Sequence, residues 1–322
     1  MLSFAVGSCA DAGEGTGAQQ IESTEKHVLM TSETNQTEDK NGAALNAQRF
    51  QMLEDIAREL SDDDITFPNC FEVSTQLRKE LRNPDLPIAR IAGIVSLEPL
   101  VAAKLIKLAN SVFYNPNGLA VRNIPAAITR IGVRAVRLTA LAVATKQMIL
   151  SKEIVAFRDL SRALWKHSVR SAAAARILAR TYTQLNPDEA MLCGLLHDFG
   201  ASYMLHRAAQ YPELRERPDT LKYLIMQWHD SVGVSLLNAL GLPEEIVQAT
   251  VDHDHPRSTV PSGVKTFSDV VYVSNILCGA HFEWLYQEID PGVMGTDALR
   301  EIFSEILPDI ESEAAEMLAI LD

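Results

Sequence analysis

Apolar side chains recur at steps of three and four residues along most of the chain, beginning near Phe50. The first clear stripe runs through Leu53, Ile56 and Leu60, and three aspartates interrupt it after Ser61. This spacing places the apolar residues on one face of an α-helix, whereas a half-buried strand would place them at every second position. No segment shows a serious alternation of the strand type. The pattern therefore predicts an all-α fold.

The segment before this stripe has a different composition. Residues 11–45 are rich in Gly, Ser, Thr, Glu, Gln and Asn and contain almost no large apolar residues. Such a segment cannot bury enough apolar surface to offset the entropy lost on ordering. We expect residues 1–48 to form a disordered acidic and polar tail, and we expect no secretory signal because the first residues lack a basic stretch.

Turn signals divide residues 49–158 into predicted helices. A turn is expected at residues 83–87 and a loop at residues 115–118, where Asn, Pro and Gly cluster. Between them, helical patterns cover residues 89–95 and 99–109 and are interrupted before Pro99. The apolar pattern resumes after the loop with one break at Gly132. We predict that these segments form an N-terminal helical half.

Residues 159–322 are predicted to form a second helical half with additional helices at its C-terminal end. His167 lies on a stripe of apolar and small residues that recur every three or four positions. Asn186, followed by a proline and an acidic pair, predicts the start of a helix that ends at Gly200. Further helical segments are predicted at residues 221–240, 244–253 and 267–321.

The composition narrows the class of protein. Hydrophobic residues make up 47% of the 322 residues but aromatic residues only 6%, a balance that suits packed amphipathic helices. The net charge of −13 opposes general binding to nucleic-acid phosphates, so we expect no nucleic-acid partner. Since the apolar runs are too short to span a bilayer and the four cysteines are widely spaced, we expect a cytoplasmic protein without membrane insertion.

One basic stripe departs from the acidic average. Arg130, Arg134 and Arg137 share one face of a predicted helix, and Arg122 is nearby in the sequence. Charges at this spacing are common on solvated helix surfaces, and they would also suit a bound anion or a protein partner. The sequence leaves both interpretations open.

The candidate chemistry lies in four histidines and one aspartate near the ends of buried-type helices: His167, His197, Asp198, His229 and His253. Imidazole and carboxylate groups are common ligands of divalent transition metals. A single histidine on an apolar face is more often a hydrogen-bonded core residue, but a buried carboxylate is costly without a metal, a donor or a cation. If the helices pack antiparallel, these five side chains converge on one metal site.

Two groups of short motifs resemble a known family. Residues 195–200, Leu-Leu-His-Asp-Phe-Gly, resemble the signature of the HD superfamily of metal-dependent phosphohydrolases, and residues 164–168, Leu-Trp-Lys-His-Ser, resemble its upstream histidine motif. Residues 94–99, Ile-Val-Ser-Leu-Glu-Pro, and 108–111, Leu-Ala-Asn-Ser, resemble the N-terminal half of HDOD domains, the HD-related output domains. The resemblance covers roughly residues 65–278. It implies an N-terminal helical subdomain packed on an HD-like bundle, with metal-ligand roles for the five residues above.

The chain departs from the HD enzymes at positions that would serve catalysis. HD-GYP phosphodiesterases have a lysine directly after the motif glycine, where this chain has Ala201, and their His-His pair is His253-Asp254 here. The late aspartate of HD enzymes is replaced by Asn275, a poorer metal ligand, and no GYP-like motif follows His255. We therefore expect a vestigial site without a resident cofactor, although a divalent Fe, Mn, Mg or Zn ion would suit the ligands that remain.

Three functions are compatible with these features. The resemblance favours a noncatalytic bacterial signal-transduction protein whose partners are other signalling proteins, with a cyclic di-GMP network as one setting. The first alternative is a metal-dependent phosphohydrolase that acts on a nucleotide or on cyclic di-GMP. The second is a nucleotide-sensing module without turnover. Metal content and turnover separate these functions, because hydrolysis requires an activated metal-bound water.

Overall fold

The computed structural model describes most of the chain from residue 42 onward: residues 42–61, 76, 77, 79, 80, 83, 86–251, 253–255, 257, 263–279 and 296–321. These residues form helices and no strand, which confirms the predicted all-α class. Residues 1–41 of the expected tail lie outside the described residues, so the prediction of disorder stays a prediction there.

The first helices are α1 (Ala43–Ser61), α2 (Ile88–Val95), α3 (Pro99–Ala109) and α4 (Ile124–Ile149). Helix α1 begins inside the segment expected to be tail, since its first residues Ala-Ala-Leu have high helix propensity. Helix α4 contains the predicted break, because the backbone at Gly132 is non-helical with a φ of +82°. That angle is readily adopted by glycine alone.

A 3₁₀ helix at Lys152–Phe157 leads to the later helices, which are α5 (Arg158–Tyr182), α6 (Pro187–Leu196), α7 (Phe199–Ala208), α8 (Pro212–Arg215), α9 (Pro218–Ala239), α10 (Glu244–Ala249), α11 (Phe267–Leu277), α12 (Thr296–Ile302) and α13 (Leu307–Leu321). The side chain of Asn186 accepts hydrogen bonds from the first N–H groups of α6, as the sequence predicted. The described residues from Gln48 onward belong to one compact unit, and the division near residue 158 stays a proposal.

Helix α6 ends at Leu196, so the prediction that it continues to Gly200 is wrong. His197 is the C-cap of α6 and Asp198 is the N-cap of α7, which places the His-Asp pair in the joint between two helices. Gly200 lies within α7, and a Cβ added there would be 2.0 Å from the carbonyl oxygen of His229 on α9. The glycine therefore permits a close contact between α7 and α9 and does not end a helix.

Helix α5 lies at the centre of the later helices and packs against α6, α11 and α13. Its central residues 171–175 are Ser and Ala, and all are fully buried. Gly194 of α6 faces this stretch, where a Cβ would be 2.5 Å from the carbonyl oxygen of Ser171. Small side chains thus let α5 and α6 approach closely, which fixes the joint that carries His197 and Asp198.

The structure also describes part of the basic stripe and two of the four cysteines. Arg134 pairs with Glu189 at 2.8 Å, and Arg130 donates to the carbonyl oxygen of Ala109. Burial raises the pKa of the Cys193 and Cys278 thiols to about 12, as suits small core residues. Among the described helices, none combines the length and apolarity needed to cross a membrane.

We predict that Gly200→Ala destabilises the protein by at least about 2 kcal/mol, because the added methyl group meets backbone atoms of α9 that cannot rotate away. Gly93→Ala is the matched control, since Gly93 is exposed on α2 and a Cβ there meets nothing within 4 Å. That control should gain about 0.5–1 kcal/mol from helix propensity. Urea unfolding of the two variants and the parent checks both values. Equal midpoints for Gly200→Ala and the parent would contradict the tight α7–α9 contact.

Candidate metal centre

The structure brings all five predicted site residues together. His167 lies on α5, His197 and Asp198 in the α6–α7 joint, His229 on α9, and His253 in the turn after α10. Asp198 belongs to two overlapping groups whose ligand atoms lie within 4.8 Å of one another. One group adds His167 and His197, and the other adds His229, His253 and Asp254.

Asp198 lies between the imidazoles, and each of its carboxylate oxygens faces two of them. Oδ1 lies 3.2 Å from Nε2 of His253 and 3.8 Å from Nε2 of His229. Oδ2 lies 3.2 Å from Nε2 of His197 and 3.7 Å from Nε2 of His167. The carboxylate is therefore the common neighbour of four imidazole nitrogens.

Backbone carbonyls orient three of the histidines. The Nδ1 atoms of His197, His229 and His253 each lie 2.8 Å from a carbonyl oxygen within their own chain segment. A carbonyl oxygen only accepts, so Nδ1 carries the hydrogen, and in a neutral ring Nε2 then presents its lone pair to the centre. Metal-binding histidines are commonly oriented by such a hydrogen bond from the other ring nitrogen. The accepting carbonyls belong to Gly194, Ile225 and Thr250.

The Nε2 lone pairs of the histidines and the carboxylate oxygens of Asp198 repel one another unless a positive charge lies between them. Burial by itself lowers the pKa of His253, but Asp254 and Asp198 outweigh it and raise that pKa to about 10. Burial likewise opposes ionisation of Asp198, yet His197 and His253 hold its pKa well below the usual range. Without a metal, a proton on His253 thus supplies positive charge to the centre. A divalent ion would supply more.

His167 differs from the other three imidazoles. Its Nε2 lies 3.0 Å from Nε2 of His197 and 3.2 Å from the hydroxyl of Ser171. Burial and the neighbouring His197 lower the pKa of His167 to about 4, so the ring is neutral at pH 7. A neutral imidazole is the form that binds metals.

The donor set fits the divalent ion that the motifs imply. Oδ2 of Asp198 and Nε2 of His229 are buried. Polar atoms lie 3.2–3.3 Å from them, but no described neighbour meets either atom with the geometry of a hydrogen bond. Buried polar atoms of this kind are costly unless something satisfies them. A set of imidazole nitrogens and carboxylate oxygens suits Fe, Mn or Zn in particular.

Three neighbouring residues that the sequence analysis did not place in the site complete it. Oδ2 of Asp254 lies 3.3 Å from Nε2 of His229, so the aspartate that replaces a family histidine still offers a ligand atom. Asn275 donates hydrogen bonds to Asp254 at 2.8 Å and to the backbone carbonyl of His253 at 3.3 Å. Oδ1 of Asp230 lies 3.2 Å from Nδ1 of His253. Asp230 and Asp254 each directly follow a site histidine, and this adjacency is the sequence signal that could have placed them in the site.

Comparison with known proteins supplies the family context. The HDOD domain model matches residues 67–256. An uncharacterised protein of Treponema pallidum (strain Nichols) is 24% identical over 231 residues, which cover 69% of this chain. The match covers 44% of that relative, so the chain spans less than half of its length.

Two crystal structures share the fold at low sequence identity. A proposed metal-dependent phosphohydrolase of Shewanella amazonensis SB2B is 22% identical with a TM-score of 0.65, covering 86% of this chain and 100% of that chain. A proposed signal transduction protein of Marinobacter aquaeolei VT8 is 19% identical with a TM-score of 0.52, covering 85% of this chain and 66% of that chain. Since the HDOD model spans more than half of the 322 residues, and the motifs and the helical fold agree with it, this chain belongs to the HDOD domain family.

Proposed function

We propose that this chain is a regulatory HDOD protein that holds a divalent metal ion and acts without hydrolysing a phosphoester. The observation that carries the proposal is the closure of the centre, because its four histidines and Asp198 are each only 1–3% exposed. A catalytic metal keeps a coordination position open to water and substrate, whereas a structural metal is enclosed by its ligands. The burial of these five side chains favours the second kind of site.

The surroundings of the α6–α7 joint support the same conclusion. Ala201 occupies the position of the phosphate-facing lysine of HD-GYP enzymes, and it is fully buried beside the tight contact of Gly200 with α9. Within the described part of the chain, the ion pairs of Asp198 are with histidines. Phosphoryl transfer needs positive charge directed at the developing oxygens, and these pairs include no lysine or arginine that could supply it.

A bound metal would stabilise the packing of the later helices. His167, His197 and Asp198 would hold it on one side, and His229, His253 and Asp254 offer ligands on the other. The ion would supply a fixed positive charge and Lewis acidity. The protein orients the ligands through the Nδ1–carbonyl hydrogen bonds and through the hydrogen bond from Asn275 to Asp254. Metal occupancy thereby ties together helices that are distant in the sequence.

The regulatory part of the proposal rests on family context. The motifs resemble HDOD output domains, and the Marinobacter structure of the same fold is described as a signal transduction protein. We infer a cytoplasmic protein whose partners are other signalling proteins. A connection to cyclic di-GMP signalling follows from the resemblance to HD-GYP relatives.

Metal-dependent phosphohydrolysis is the second candidate. The same imidazole and carboxylate donors favour it, since they match the ligand types of the HD enzymes. Both candidate functions include metal binding, and only the second includes turnover. Metal binding and turnover are therefore measured separately.

We predict that Mn²⁺ raises the melting temperature of the parent protein. At a free Mn²⁺ concentration about 100-fold above its Kd, binding to the folded state adds about 2.7 kcal/mol of stability. Asp198→Asn should lose most of this increase, measured against its own metal-free melting temperature, because it removes the charge shared by both ligand groups. Asp219→Asn removes an exposed carboxylate of α9 and should respond as the parent does. An undiminished response in Asp198→Asn would place the metal elsewhere.

We predict that the Mn²⁺-loaded and Fe²⁺-loaded protein hydrolyses cyclic di-GMP no faster than a His197→Ala variant. The donors are buried, and a metal enclosed by its ligands offers no open coordination position to a water or a phosphoryl group. Chromatographic detection of linear product in both samples checks this. Product formed by the parent and absent from His197→Ala would establish the phosphohydrolase candidate instead.

A further inference from the structure

A cavity of about 440 Å³ borders the first half of α5, next to the metal centre. Side chains from one helical face line it, including Asp159, Arg162, Lys166 and Arg170. His167 lines it as well, so this ring belongs both to the metal centre and to the cavity wall. The volume falls within the range of about 300–1,000 Å³ that is typical of small-molecule sites.

The three cations stand at steps of four residues, which places them in one row along α5. Like charges at this spacing destabilise a helix slightly, and a bound anion would relieve their repulsion. Among the described residues, Arg162 and Lys166 form no ion pair or side-chain hydrogen bond with a neighbour. Arg170 pairs with Glu311 of α13, while its Nε is buried without a partner. In a chain of net charge −13, this is a locally cationic site.

His167 adds a second and independent observation. The residue is 3% exposed, and its Nε2 faces His197 and Asp198 in the metal centre. The other ring nitrogen, Nδ1, is buried and has no hydrogen-bond partner among the described residues. A buried unpartnered ring nitrogen on a residue of the cavity wall is a polar group that a ligand can satisfy.

We propose that this cavity binds a phosphate-class anion through Arg162, Lys166 and Arg170, with His167 forming the wall towards the metal centre. Guanidinium and ammonium groups pair strongly with phosphate oxygens. Arg162, Lys166 and Arg170 carry three positive charges, while Asp159 and Glu311, the partner of Arg170, carry two negative charges. The remaining net charge of +1 favours an anion such as a phosphate monoester, which is negatively charged at pH 7. The inference rests on the proposed regulatory function, for which it supplies the ligand class.

The test is isothermal titration calorimetry with inorganic phosphate, AMP and, as a neutral control, adenosine. Protein dialysed free of divalent ions is used first, and Mn²⁺-loaded protein second. Phosphate and AMP should bind the parent in both preparations, and adenosine should bind neither. Binding of AMP tighter than that of phosphate identifies a nucleotide as the source of the phosphate group, and equal binding identifies free phosphate.

Arg162→Gln and Lys166→Gln each remove one charge from exposed positions of α5 and should weaken binding at least about tenfold. Arg180→Gln removes the same charge near the other end of α5, away from the cavity, and should bind as the parent does. Melting temperatures verify that all three variants are folded. Unchanged affinity in Arg162→Gln and Lys166→Gln, tight binding of adenosine, or no phosphate binding at all would overturn the inference.

The two proposals fail in different ways. If phosphate does not bind but Mn²⁺ still raises the melting temperature, the cavity proposal is refuted and the metal proposal is supported. Phosphate that binds only to Mn²⁺-loaded protein, with equal affinity in the α5 variants, places the anion on the metal and refutes the cavity site. Phosphate binding that persists without any Mn²⁺ response refutes the metal proposal alone.

Discussion

The buried carboxylate of Asp198 is the constraint on which the centre depends. A carboxylate that is 2% exposed costs several kcal/mol of desolvation unless cations or donors surround it. Four imidazoles from separate elements provide that environment, and they reach it only if α5, the α6–α7 joint, α9 and the turn after α10 pack in one arrangement. Gly194 and Gly200 permit two close backbone approaches in that arrangement. The stabilisation of the Asp198 carboxylate therefore depends directly on the packing of the later helices.

The fold was largely predictable because helical periodicity and cap residues are local signals. The bounds of α3, the cap at Asn186 and the break at Gly132 follow from residues within a few positions of each feature. The error at Gly200 has a tertiary cause. A glycine after an apolar run is typical of a helix end, and nothing nearby in the sequence shows that its missing side chain makes room for His229 on α9.

The candidate site was predictable in its histidines but not in its accessory groups. His167, His197 and Asp198 lie within motifs, and burial of their stripes is visible in the sequence. Compared one at a time with the corresponding family positions, Asp254 and Asn275 each predict a weaker metal site. In the structure they form one unit, since the Asn275 amide holds the Asp254 carboxylate beside His229. Such a compensation depends on a distance between α11 and the turn after α10 that no local pattern encodes.

Binding without turnover is consistent with the placement of positive charge around His167. Its Nε2 faces the metal ligands, while the same ring lines the cavity that contains Arg162 and Lys166. An anion held by this cation row would be separated from a metal at Nε2 by the imidazole ring. Hydrolysis requires the phosphoryl oxygens or the attacking water to touch the ion, and in the proposed arrangement the imidazole ring would stand between the anion and the ion. An anion in the cavity would instead act on the centre through the orientation and hydrogen bonding of His167, which suits a sensor better than a hydrolase.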